Sequence, residues 1–163
     1  MTASVIAQRA PVIVVAIGAS NTWGWGVAGR NAYPERLEDL LKAAGYDAQV
    51  INAGTIFDTT AGMRRRIDTA VPDGTDIVIL QPGGNDVRFF GSNEQRAVNI
   101  EAIVKRLTER KIAVIVYDPV FPQAAYQWDR IHLNADAHGK IAMELLSRVK
   151  GMIDAKASEG RQR

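Results

Sequence analysis

The chain contains no cysteine. That removes disulfide frameworks, Cys-ligated zinc, iron–sulfur clusters and thiol nucleophiles together. Histidine is nearly as scarce. His132 and His138 are the only two among 163 residues, too few for a histidine-rich metal site. An excess of one charge is also missing. Twenty Lys+Arg against 18 Asp+Glu leave +2, too little for the field a nucleic-acid binder presents. The sequence pI near 9.0 reflects only that small excess. Long hydrophobic runs are lacking too. The longest near the start, residues 11–17, is about a third of the ~20 residues a spanning helix needs. The first ten residues carry one charge, Arg9, behind the apolar residues rather than ahead of them, which is not a signal-peptide pattern. As written, the sequence predicts a cytoplasmic protein; a signal trimmed from a longer precursor would make it periplasmic or secreted. What is present is an ordinary globular composition, 47% hydrophobic and 23% charged, at a length expected for one domain over residues 1–163. Residues 1–10 and 155–163 are expected to be flexible, the latter because their apolar content falls.

Four short Val/Ile-rich runs stand out, at residues 12–17, 48–52, 76–81 and 112–117. Most lack polar alternation, as strands buried on both faces do. Helical spacing fills the intervals. Leu37, Leu40, Leu41 and Ala44 make one stripe, Ile100, Ile103, Val104 and Leu107 a second, and Ile141, Leu145, Val149 and Ile153 a third; residues 59–71 form a shorter candidate. Strands alternating with helices predict an α/β fold: a three-layer α/β/α sandwich around a flavodoxin-like parallel sheet, its strands joined by right-handed crossovers. In such a sheet, ligands bind beyond the carboxyl ends of the strands. Function is therefore sought in the loops at residues 18–33, 53–58, 82–92 and 118–131.

Each loop carries one candidate. Ser20 stands three residues beyond the first strand, where a helix-starting turn would expose its hydroxyl; a turn serine or helix cap is the commoner use. Gly54 permits close approach of a backbone N–H, or is a plain turn glycine. Gly83-Gly84-Asn85-Asp86 follows a buried strand, and its carboxamide is a potential rigid donor. Asp129 and His132, three apart, fit one side of a tight turn, where the carboxylate would accept the Nδ1 proton and leave Nε2 as a base. Asn134 is a plausible N-cap for the last helix, with Asp136 in its first turn. His138 falls inside that helix and is expected to be partly exposed and without a catalytic part.

In this order, Gly18-Ala19-Ser20-Asn21-Thr22, Gly54, Gly83-Gly84-Asn85-Asp86 and Asp129-x-x-His132 resemble the SGNH (GDSL-type) hydrolases, nearest to bacterial thioesterase/lysophospholipase and arylesterase-like members. The resemblance spans about residues 12–149. It implies Ser20 as nucleophile, His132 as general base and acid, and Asp129 as its orienting partner. It implies an oxyanion hole made by the Ser20 and Gly54 amides with the Asn85 side chain. Acyl transfer requires that set: a hydroxyl beside a base, and donors aimed where negative charge develops. Two departures stand out. Ala19 replaces the usual Asp, removing a carboxylate that helps hold the loop. Only residues 86–128 separate Asn85 from Asp129, where such proteins usually insert a further helix and a fifth strand. A minimal four-stranded sheet is therefore expected, with a more open cleft on that side.

Other features compete. Gly24-Trp25-Gly26-Val27-Ala28-Gly29 is a literal G-x-G-x-x-G with Asp47 downstream, but it neither follows a strand directly nor opens a helix, so nucleotide binding is disfavoured. Asn21, Trp23, Trp25, Val87, Phe89 and Phe90 are candidates for a substrate pocket, with core packing the equal alternative for the aromatics. Arg64-Arg65-Arg66 is expected to be a solvated helix face. The sequence thus predicts a carboxylic ester hydrolase of small acyl ester or thioester substrates, with no cofactor, metal, nucleic-acid partner or transmembrane segment. The rivals are a non-catalytic binding module on the same fold and a carbohydrate O-deacetylase.

Overall fold

Hydrophobic runs too short to be helices have formed the sheet. In the computed structural model, which describes residues 10–159, strands β1 (Val12–Gly18), β2 (Ala48–Gly54), β3 (Ile77–Gln81) and β4 (Ala113–Val116) pair in the order β2-β1-β3-β4, all parallel. The four strand runs lie within a residue or two of their sequence positions. The flexible candidates at residues 1–9 and 160–163 lie outside the described residues.

Helices α1 (Ser20–Trp23), α2 (Tyr33–Ala43), α3 (Thr60–Ala70), α4 (Asn93–Glu109) and α5 (Ala135–Glu159) connect and cover the strands. Alternation along β1 divides the core in two. Val14 and Ala16 pack with Leu37 and Leu41 of α2 and Ile141, Leu145 and Val149 of α5. Val15 and Ile17 pack on the other face with Met63 and Ile67 of α3 and Ile103 and Leu107 of α4. All four of these β1 side chains are fully buried, and each larger one contributes about 1.5–3 kcal/mol relative to exposure. Helix α5 continues through Glu159, past residue 155 where apolar content falls. No helix among the described residues is long and apolar enough to cross a membrane.

Strand β2 runs two residues beyond its hydrophobic stretch, and the reason lies in Gly54. A Cβ there would fall 2.2 Å from the Trp23 amide nitrogen, so only glycine lets the strand end lie against the backbone of α1. Gly18, in register with both Gly54 and Gln81, meets the same constraint from Thr22. The polypeptide that carries Ser20 is thereby seated directly on the ends of β1 and β2.

Candidate active site

Ser20 opens α1, so its amide has no intrahelical carbonyl to bond. Its side chain meets a loop 112 residues away. Ser20 Oγ lies 3.0 Å from His132 Nε2, and His132 Nδ1 lies 2.6 Å from Asp129 Oδ2. The spacing of Asp129 and His132 folds as a tight turn in which Asp129 Oδ1 also accepts the amides of Ile131 and His132, both at 3.0 Å. Burial pushes the Asp129 carboxyl up, but these amides and the imidazole outweigh it and hold the group down at about 2. An ionised Asp129 keeps the proton on Nδ1, so Nε2 can accept from the Ser20 hydroxyl.

The loop bearing Ser20 is held without a carboxylate at residue 19. Ala19 is itself nearly buried and packs in the α3/α4 core. Thr22 Oγ1 donates to Gln81 Oε1 at 2.8 Å, Asn52 Nδ2 donates to the Thr22 carbonyl at 2.9 Å, and Arg66 Nη2 donates to the Gly18 carbonyl at 3.1 Å. Arg66 also binds Asp58 at 2.8 Å. The Arg64–Arg66 run is therefore not uniformly solvated: Arg64 and Arg65 are exposed, whereas Arg66 ties α3 to the end of β1.

Asn85 is buried at the edge of a cleft of about 350 Å3 that also borders Ser20. One Nδ2 hydrogen goes to the Asp58 carbonyl at 2.8 Å, which fixes the carboxamide and leaves its second hydrogen for the cleft. Its neighbour Asp86 accepts from the amide and hydroxyl of Thr60, clamping this loop to the start of α3. Gly54 differs from the expectation. Its amide is donated to Asn52 Oδ1 at 3.0 Å, because an Asn two residues earlier closes a local side-chain turn over it. The glycine is there for close packing, and its N–H is already occupied.

The expected pocket residues divide. Asn21 and Val87 line the cleft. Asn21 also ties the two loops: its Oδ1 accepts the Leu133 amide at 2.8 Å and its Nδ2 reaches the Ile131 carbonyl at 3.5 Å, on either side of His132. Trp25 stands over the imidazole, with ring centroids 5.6 Å apart and planes tilted by 33°, and the Trp23 ring lies beside Trp25 at 6.1 Å, tilted by 44°. Phe89 is half exposed under Arg88; the Phe90 side chain lies outside the described part. Several cleft residues gave no sequence signal. Arg96 donates to the Gly83 carbonyl at 2.9 Å and to Asp118 at 2.7 Å, joining the Asn85 loop to the loop after β4. Gln81, Asn93, Tyr117 and Tyr126 complete that side. Gln81 and Tyr117 end the third and fourth strand runs, but these residues lie far apart in sequence and no local pattern marks them as neighbours in one cleft.

His138 is wholly buried rather than partly exposed. Its Nδ1 accepts the Tyr33 amide at 3.1 Å, its ring stacks on Tyr33, and its Nε2 has no partner among the described residues. Burial, with Arg36 nearby, lowers its pKa to about 4. Asn134 caps α5 as expected, its Oδ1 accepting the Ala137 amide at 2.9 Å.

A parallel sheet that gathers a serine, an imidazole, a carboxylate and a fixed carboxamide at its carboxyl edge is the scaffold of an SGNH-type α/β hydrolase. The profile of the GDSL-like lipase/acylhydrolase family matches residues 16–149, and the chain belongs to that family of ester hydrolases. Among solved structures, AlinE4, an SGNH-hydrolase family esterase, is 26% identical, over 86% of this chain and 73% of that one, with a TM-score of 0.62. TesA is 18% identical over 86% and 99% of the two chains, with a TM-score of 0.79. The acetyl xylan esterase AlAXEase is 19% identical over 85% and 100%, with a TM-score of 0.72. The latter two likenesses concern the fold. No curated protein matches the sequence.

Proposed function

We propose that the chain cleaves carboxylic esters or thioesters by transferring the acyl group to Ser20. The observation that carries this reading is the unbroken hydrogen-bond relay from Ser20 through His132 to Asp129. Ser20 Oγ attacks the acyl carbon and its proton passes to His132 Nε2. The carbonyl electron pair moves onto oxygen, where the Ser20 amide and the free Asn85 Nδ2 hydrogen receive the charge. Collapse breaks the bond to the leaving alkoxide or thiolate, which takes the proton from Nε2. Water then repeats the sequence on the acyl-enzyme and releases the acid. Asp129 stays ionised throughout and orients the ring. With the Gly54 amide committed to Asn52, two donors carry the oxyanion in this scheme.

Stoichiometric labelling of Ser20 by a fluorophosphonate supports this chemistry. Absence of labelling in folded protein would instead make the chain a binding module. The acyl preference is read from a p-nitrophenyl ester chain-length series with Ser20→Ala as blank.

A second reading, carbohydrate O-deacetylation, is favoured by one observation. The cleft beside Ser20 offers Gln81, Asn93, Arg96, Tyr117 and Asp118 as polar partners for a hydroxylated alcohol moiety. Faster turnover of acetylated sugars than of any p-nitrophenyl acyl ester would select it.

A further inference from the structure

Apolar exposure is concentrated on one edge of this molecule. Eight of the eleven exposed large hydrophobic side chains among the described residues lie in connections leaving the carboxyl ends of the strands, so the pattern is not the scattered exposure of an ordinary surface. Trp128 is 92% exposed, Val120 98% and Phe57 70%; Trp23, Trp25 and Phe89 are about half exposed. They come from the loops after β1, β2 and β3 and from the long loop after β4, a ring of connections at the strand ends in which Val87, Val120 and Ile131 line the cleft beside Ser20.

Phe57 shows that folding alone does not account for this ring. Its φ is +60°, a left-handed conformation that costs a bulky residue roughly 1–2 kcal/mol and that glycine adopts freely. The phenyl group recovers little of that by packing, since most of it faces solvent. Arg130, exposed between Asp129 and Ile131, has the same left-handed geometry at φ +57°.

Charge indicates what the ring faces. The four aspartates of these connections are all engaged: Asp58 with Arg66, Asp86 with Thr60, Asp118 with Arg96 and Asp129 with His132. Of the arginines in the same connections, Arg30 pairs with Asp39. Arg88, over the Phe89 ring, and Arg130 have no carboxylate partner among the described residues. Aromatic and aliphatic side chains interspersed with unpaired arginines match a lipid–water boundary, where rings enter the headgroup region and guanidinium groups meet anionic headgroups.

We propose that this edge docks on an anionic lipid–water interface, presenting the mouth of the cleft to esters held there. The proposal rests on the ester-hydrolase reading of the same site but is tested without turnover. Ser20→Ala protein is floated with vesicles of phosphatidylcholine alone and of phosphatidylcholine mixed with phosphatidylglycerol. The expected result is co-flotation with the mixed vesicles, weakened by salt, with a blue shift of tryptophan emission. Trp128→Ser and Phe57→Asn should each weaken binding roughly tenfold, as partial burial of one aromatic predicts. Introduced singly into the unmutated enzyme, neither should alter turnover of a water-soluble short-chain ester, which also shows that the variants are folded. Arg130→Gln should weaken binding to the mixed vesicles only.

No association with either vesicle, equal association with both, or unchanged binding by Trp128→Ser and Phe57→Asn would overturn the proposal. So would concentration-dependent dimerisation that buries Trp128 in place of vesicle binding, or retention on acetylated xylan without it. An inactive enzyme that still floats would break the esterase reading alone; an active one that does not float would break the docking alone.

Discussion

Two imidazoles six residues apart meet opposite fates. His132 stands on the loop before α5, partly exposed, with both ring nitrogens hydrogen-bonded to Asp129 and Ser20. His138 lies about one turn into the helix, wholly buried, with one nitrogen bonded to a backbone amide and the other without a partner among the described residues. The first has a carboxylate that holds its orientation and can stabilise a positive charge on the ring. The second has aromatic packing and a depressed pKa, which keep it neutral. A histidine is suited to proton transfer by its partners, and burial without a counter-charge excludes it from that work.

The largest expected effect separates the two sites outright. Ser20→Ala and His132→Ala should each reduce kcat by about 10⁴-fold or more, and the double variant should lose little further, because the groups act as a unit. His138→Gln should leave kcat within about twofold; steady-state kinetics on a short-chain ester decide both. A His138 variant as damaging as His132→Ala would reverse the assignment of the base. Asn85→Ala comes next, with an expected loss of roughly 10²–10³ in kcat, as for removal of one oxyanion donor.

The third effect belongs to stability. His138 protonates in the unfolded chain near 6.5 but in the native protein only near 4. Between those values the unfolded state binds more protons, so stability rises with pH. The contribution is complete above about 6.5 and is lost on acidification toward 4, up to about 3 kcal/mol in all. Urea midpoints across that range should fall with pH for the parent protein, and His138→Gln should flatten that part of the profile. Asp129 acts in the same sense but much lower, its share being lost only as pH falls from about 4 toward 2.

The smallest effect concerns Trp25. Its ring stands over the imidazole that would become cationic in the proposed acyl transfer, a contact worth about 0.5–1 kcal/mol. Trp25→Leu should lower kcat about three- to fivefold with KM little changed. A change confined to KM would instead make Trp25 a surface for substrate.

Much of this was legible in the chain. Val/Ile runs with no polar alternation marked four strands because a parallel strand buries both faces, and that rule is local. The sheet then dictated where loops 18–33, 82–92 and 118–131 converge. Other features were legible only in part. His138 falls three residues before Ile141 on the Ile141–Leu145–Val149 stripe, so its burial had a periodic signal that its polarity masked. Gly54 was visible as a glycine at a strand end, but not the Asn52 side chain that takes its amide. Arg96 gave no signal, since its partners are a carbonyl 13 residues back and an aspartate 22 residues on.

The sequence by itself determined the alternation of strands and helices, the edge on which chemistry-bearing loops gather, and the residue types able to perform acyl transfer. These follow from which side chains leave water and at what period, a property of neighbours along the chain. Only the tertiary structure decided which donors remain free, which histidine has a counter-charge, and how the loop is held with alanine at residue 19. Those outcomes depend on directional hydrogen bonds between atoms brought within about 3 Å by packing, and no local pattern encodes which distant partner arrives.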